Sequence, residues 1–294
     1  MTNFLSYFVN GLSLGGIYAL IALGFVVVFK ATEVVNFAHG SLLVLGGYVI
    51  ARLNGTVPFV VAVLVGCAVA AVAALVVERL YTWRLRDSNV NALAILTIGI
   101  DILLVTELTR RFGPDILPIG DPWGNSVVNL GFAEIAEARL VGIMVTAVLL
   151  VVFFIAFKYS SWGIAMRASA EDGEAAALMG IRRGRVTMTA WAVAGVLAAV
   201  AAVFLCAFPT PGLDASVRLT ALRAFPAAIL GGLDSTAGAV VGGLSIGLAE
   251  AMTSGYSVKL AGGSLNDVVP YLVMLLVLLV RPSGLLGTKE LSRV

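Results

Sequence analysis

A chain of 294 residues that is 60% hydrophobic and only 12% charged cannot wet a globular surface, since soluble domains carry about 25% charged residues. These numbers exclude a soluble enzyme and a nucleic-acid-binding protein, and they call for a polytopic membrane protein. The formal net charge of +2 excludes nothing, because in a membrane protein the placement of charge along the chain carries the information.

A helical span takes about 20 apolar residues, and the first runs from Tyr7 to Phe29. The first basic residue, Lys30, follows this run. No cleavable signal peptide is therefore read here, as such a peptide carries basic residues before its apolar core. A turn at Lys30–Val35 leads to a second span at about Asn36–Arg52, and Asn54-Gly55 with Pro58 turns the chain into Phe59–Val77. Glu78–Ser88 is charged and reads as a connection. Val90–Leu108 spans next and carries Asp101 in its middle. Thr109–Glu137 is polar, with turns at Gly113-Pro114-Asp115 and Asp121-Pro122. Arg139–Phe157 spans again, then comes a polar loop, Tyr159–Arg185, then the span Val186–Phe208.

Glycine and proline break up the last third. Leu213–Leu233 is only moderately apolar and contains Arg218, Arg223 and Pro226; Ala237–Met252 is glycine-rich; Val268–Val280 is short and ends at Arg281-Pro282. The expected fold is all-α, one transmembrane domain over residues 1–294 with 8–9 helices, some of them broken or short towards the end. Counting Leu213–Leu233 as a span gives nine crossings; a re-entrant helix pair there is the rival reading.

Nine crossings put the termini on opposite sides. With the N-terminus outside, one side collects Lys30, Arg79, Arg84, Arg86, Lys158, Arg167, Arg182, Arg183, Arg185, Arg281, Lys289 and Arg293, 12 of the 19 basic residues. The positive-inside rule makes that side cytoplasmic. The loop 159–185 and the C-terminus go with it.

Within the loop, Ser169 followed three residues later by Asp172 is a capping-box pattern, so a helix is expected over Ser169–Met179. Glu171, Asp172 and Glu174 then lie at the positive end of the helix dipole. Gly180 ends the helix in a left-handed turn, with Arg182, Arg183 and Arg185 beyond the negative end. Ala175, Leu178 and Met179 share a face by spacing. Two readings stand: a connector folded back on its own bundle, or a helix on which a partner packs.

Several motifs carry chemistry only in the right context. Gly238-Ala-Val-Val-Gly242 and Gly243-Leu-Ser-Ile-Gly247 are small-residue repeats suited to close helix packing. Gly11-Leu-Ser13-Leu-Gly15 and Gly243-Leu-Ser245-Ile-Gly247 match a hydrolase elbow, but both lie in helical runs and lack its strand–turn–helix setting. Cys67 and Cys206 sit in apolar segments as packing residues, and a single histidine, His39, leaves no multi-histidine metal site. The sequence has no Gly-Lys dipeptide and so no Walker A loop; ATP used in any function must be bound by another subunit.

Asn36 and His39 begin the second span, as a helix cap with a polar third residue or as lining of a substrate path. Asp101 must face protein or water, because a mid-bilayer carboxylate costs roughly 2.5–3.5 kcal/mol. It is either the partner of a basic group or a site of proton coupling. Arg223 and Glu250 stand as an intramembrane pair or as interfacial residues.

The loop order Glu174-Ala175-Ala176, then Ala177-Leu178-Met179, then Gly180 resembles the EAA loop of permeases from ATP-binding cassette importers. The resemblance extends along the chain: NGLSLGGIYALIALGFVVVF from Asn10, NFAHG at Asn36–Gly40, Leu45-Gly46-Gly47-Tyr48, Thr97-Ile98-Gly99, Phe112-Gly113-Pro114-Asp115, Ala228-Ile229-Leu230-Gly231-Gly232 and RPSGL at Arg281–Leu285. In order and spacing these are similar to the LivH-type permeases of branched-chain amino acid importers. The resemblance implies a bacterial inner-membrane transport subunit, not an enzyme, that binds no cofactor or metal of its own. It implies a partner permease (LivM-like, or a second copy), two ATPase subunits that hold ATP and magnesium, and an extracytoplasmic binding protein. Glu171, Asp172, Glu174, Ala175, Leu178, Met179 and Gly180 are then the ATPase-coupling residues. Asn36, His39 and Asp101 are substrate-path candidates. Import of urea or short amides, and an ion-coupled secondary transporter working through Asp101, are the alternatives.

Overall fold

The computed structural model describes residues 2–84, 90–113, 115–124, 126–129, 134–207, 212–214, 216–257 and 267–288. Pro114, Arg86, Lys259, Lys289 and Arg293, named above, lie outside the described residues, as do the segment ends Ser88 and Phe208. In chain order the elements are α1 (Thr2–Thr32), α2 (His39–Leu53), α3 (Phe59–Arg84), α4 (Val90–Phe112), the hairpin strands β1 (Val127–Asn129) and β2 (Glu134–Ala136), α5 (Glu137–Tyr159), α6 (Ser161–Glu171), α7 (Gly173–Leu178), α8 (Arg183–Ala207), α9 (Val217–Leu222), α10 (Ala224–Gly231), α11 (Thr236–Ser257) and α12 (Val269–Val280). Among the described residues, six helices are long and apolar enough to cross a membrane: α1, α3, α4, α5, α8 and α11. The helices α2 and α12 are shorter apolar segments.

The hub is α1. Its residues Tyr18 to Leu23 and Val26 to Val28 are fully buried, as befits a helix that is apolar on every side. It packs on α5, α8, α10 and most extensively on α11. That last contact is antiparallel and built from small residues: Gly11 lies against Leu248 and Ala251, Gly15 against Leu244 and Gly247, and Gly243 against Ala19. The two Gly-Leu-Ser-x-Gly segments thus cross each other about a local two-fold at Gly15 and Gly247. Lipid supplies no hydrophobic force between helices, so close backbone approach takes its place. The Gly-x-Ser-x-Gly repeats are packing devices.

The segment 213–233 runs one way through the bundle. Leu213 pairs with Leu117 in a backbone bridge at the hairpin end. Asp234 lies at the other end, where its carbonyl accepts from Lys30 Nζ at 2.9 Å and its carboxylate from the Thr288 N–H at 2.8 Å. Leu213 and Asp234 therefore lie towards opposite ends of the bundle, joined by the short helices α9 and α10. The crossing is interrupted at Arg223, between α9 and α10. Pro226 gives the reason, since it has no N–H to offer the Leu222 carbonyl one turn earlier. The same contacts put residue 288 beside the C-terminal end of α1, so the two described termini lie at opposite ends of the bundle.

Three boundaries differ from the sequence reading. The helix α3 continues through Glu78 to Arg84, because Glu78 is buried against α8 and accepts from Thr187 Oγ1 at 2.9 Å. The second span starts at His39, not Asn36; Asn36 Oδ1 instead folds onto the Ala38 N–H at 3.0 Å, ahead of the first turn. The helix expected over Ser169–Met179 is two helices with a break at Asp172.

A side chain at Gly247 would overlap the backbone of Gly15. Gly247→Val is expected to lower stability by about 1–3 kcal/mol or more through overpacking, read as a fall in thermal unfolding midpoint in detergent. Ser245→Ala should stay within about 0.5 kcal/mol.

Candidate substrate pathway and coupling surface

Two regions carry the polar groups that the apolar bundle cannot explain as packing. The first is the head of α2. His39 is fully buried, its ring tilted on Phe25 at 4.6 Å between centroids. The imidazole occupies the room left by Gly24, where a side chain would collide with it. Phe37, which precedes the helix, donates its N–H to Thr97 Oγ1 at 3.2 Å and lies 6.0 Å from the Phe225 ring. Thr97 and Asp101, four residues apart, sit on the one buried face of α4, as helical periodicity demands. Asp101 is ion-paired with Arg218 of α9, with Nε to Oδ2 at 3.1 Å.

A second arginine clamps the other side of the same broken crossing. Arg223 reaches Glu250 on α11 at 3.0 Å and Asp267, just before α12, at 2.6 Å. The Tyr18 hydroxyl of α1 donates to the other Glu250 oxygen at 2.8 Å. Arg223 and Glu250 are therefore paired with each other. A buried charge at this depth is tolerated only when paired, and here the pairs tie α9 and α10 to α1, α4, α11 and the start of α12. Asp101 likewise is a paired carboxylate. Its partner Arg218, the hydroxyls of Thr97 and Tyr18, and Asp267 were missed as site residues by sequence reasoning. The available signal was that two arginines and two acids lie inside apolar segments, where each needs an opposite charge.

The second region is at the basic end. Ser160 caps α6, its Oγ accepting from the Gly163 N–H at 3.1 Å. Met166 is fully buried and Trp162 packs edge-on against Phe153 and Phe157, so α6 is anchored to the bundle. Arg167 donates to the Phe157 carbonyl and, at 3.1 Å, to that of Lys158, closing the end of α5. Asp172 then caps α7, accepting from the N–H groups of Glu174 at 3.0 Å and Ala175 at 2.9 Å. The cap is one residue type and three positions away from the expected Ser169, which sits inside α6. Gly180 has φ +86°. The N–H groups of Gly180 and Ile181 bond back to Ala177 and Ala176, both at 3.0 Å, the hydrogen-bond pattern of a Schellman stop. Ala176 is buried beneath α7, while Glu171, Asp172, Glu174, Ala175 and Gly180 are exposed. Leu178 and Met179 are 89% and 84% exposed, on a tip held by two caps.

The family described as branched-chain amino acid transport system, permease component, matches residues 7–278. The chain belongs to this family. The LivH branched-chain amino acid transport permeases of Salmonella typhimurium and Escherichia coli are each 34% identical to it, across 99% of this chain and 98% of theirs. BraD of Pseudomonas aeruginosa is 31% identical over the same shares. The solved PsaBC complex of Streptococcus pneumoniae with a Fab superposes with a TM-score of 0.52 at 13% identity, covering 93% of this permease and 91% of that chain. That likeness shows a shared fold. The permease is a multi-pass membrane protein.

Arg223→Ala would leave the Glu250 carboxylate buried without its cation. Such a change is expected to cost about 3–5 kcal/mol, measured by thermal or denaturant unfolding in detergent. The double change Arg223→Met with Glu250→Leu should recover part of that loss, the remainder of about 1–3 kcal/mol staying with the buried Tyr18 hydroxyl, which loses its acceptor.

Proposed function

We propose that this chain is the permease subunit of an ATP-binding cassette importer for branched-chain amino acids in a bacterial inner membrane. The match to the permease family over residues 7–278 carries this reading. A second permease, two ATPases and an extracytoplasmic binding protein complete the assembly. The N-terminus faces outwards and the basic end, with α6 and α7, faces the cytoplasm.

Coupling to the ATPase runs through the α7 tip. An exposed apolar pair on a rigid, doubly capped stub fits a groove on a partner better than it fits water. Leu178 and Met179 enter that groove, with Glu171, Asp172 and Glu174 as its polar rim. Because α6 is packed on α1, α5 and α8, displacement of the tip reaches the bundle without being absorbed in a floppy loop. ATP binding shifts the bundle between inward- and outward-open states by as much as the ATPase dimer prefers one tip position over the other.

The test uses the complete assembly in proteoliposomes. Leucine uptake is expected only with both the ATPases and ATP present. Gly180→Leu forces an L-residue into a left-handed conformation at a cost of about 1–3 kcal/mol, and Glu174→Arg reverses a rim charge. Both are expected to abolish uptake and binding-protein-stimulated ATP hydrolysis, with the amount of permease in the membrane unchanged. Uptake by the permease alone, driven by an ion gradient, would overturn the reading.

A further inference from the structure

The head of α2 ends inside the bundle. His39 packs beside Gly24, six residues before Lys30, which is roughly 9 Å of helix rise from the basic end of α1. In the first turn of this 15-residue helix the His39 N–H donates back to the Asn36 carbonyl at 3.2 Å, which leaves the Gly40 and Ser41 N–H groups as donors at the positive end of the dipole. Asn36, 1% exposed, spends its Oδ1 on the Ala38 N–H and holds its Nδ2, a further donor at the same turn, without a partner. The stem of Arg218 crosses over Gly40, its Cγ 3.6 Å from where a side chain would begin. Its guanidinium bears on Asp101 yet keeps 28% of the side chain exposed. Beside it, Leu222 lies 3.7 Å from the same point, and Phe37 and Phe225 are half-buried.

Donors alone fit any anion. The carboxylate of Asp101 next to them, and the apolar wall of Phe37, Leu222 and Phe225, select a ligand with a carboxylate, an adjoining ammonium and an apolar side chain. We propose that the head of α2 with the Asp101–Arg218 pair is a transit site for the head group of an α-amino acid zwitterion. The substrate carboxylate takes the Gly40 and Ser41 N–H groups, Asn36 Nδ2 and Arg218; the ammonium takes Asp101. The site rests on the transport reading above. It is physically economical, because the protein's own ion pair opens only as two new ones form, so no charge is left unpaired at membrane depth. In the structure the pair is closed on itself.

The experiment is leucine import by the complete assembly in proteoliposomes, read as leucine moved per ATP hydrolysed. Asp101→Asn with Arg218→Gln removes both charges and leaves no lone ion. The ratio is expected to fall about tenfold or more, the scale of lost charge-assisted hydrogen bonds. A diazirine analogue of leucine, photolysed during turnover, is expected to mark residues 36–41 and 218–225, and those adducts should vanish in the double variant. If the neutral pair fails to assemble, Asp101→Arg with Arg218→Asp keeps an ion pair but sets an anion at the positive end of α2. It too should lose import. Wild-type import per ATP by either double variant overturns the site, as do adducts found only elsewhere while the analogue is imported. An assembly that turns over ATP but never imports leucine overturns the substrate reading instead.

Discussion

Charge at membrane depth must be matched, and the rest of this structure follows from that constraint. Lipid gives helices no hydrophobic reason to associate. What holds the bundle is close backbone packing at glycines, as between α1 and α11, and opposite charges that cannot face hydrocarbon. The broken crossing α9–α10 supplies both arginines, one turned to α4 and one to α1 and α11. Residues five apart on a helix lie about 140° from each other, so Arg218 and Arg223 face nearly opposite sides of the bundle.

The two polar regions differ in what holds them. The head of α2 is fixed by burial: His39 fills the notch at Gly24, and Thr97 holds the backbone of Phe37. The α7 tip is fixed by local caps, Asp172 at one end and the Gly180 turn at the other, over the anchored α6. A lever must be stiff along its length and bare at its end. Those local bonds are what a short surface helix needs to be stiff, since six residues alone cannot sustain a helix in water.

Some of this was legible in the chain. Apolar runs of spanning length located the long helices, and the excess of arginine and lysine on one side located the basic end. Gly180 was readable as a left-handed stop because so few other residues accept that conformation. The loop helix was misread at its start. Ser169 and Asp172 both satisfy a capping pattern; in the folded chain buried Met166 and partly buried Trp162 anchor α6, which runs past Ser169 to a break at Asp172. The start of α2 slipped by three residues for a similar reason: Asn36 caps a turn and a helix equally well, and the tertiary contact of Phe37 with Thr97 holds that stretch out of the helix.

The sequence by itself determined an all-α membrane bundle, its family and the outline of its loop. These depend on composition, periodicity and order, which are properties of one dimension. Only the tertiary structure decided which charge meets which. Asp101 and Arg218 are 117 positions apart, and Glu250 and the neutral Tyr18 hydroxyl that donates to it are 232 apart. No local rule connects such residues; the folded bundle does, because a charge within it has to find its opposite or remain in water.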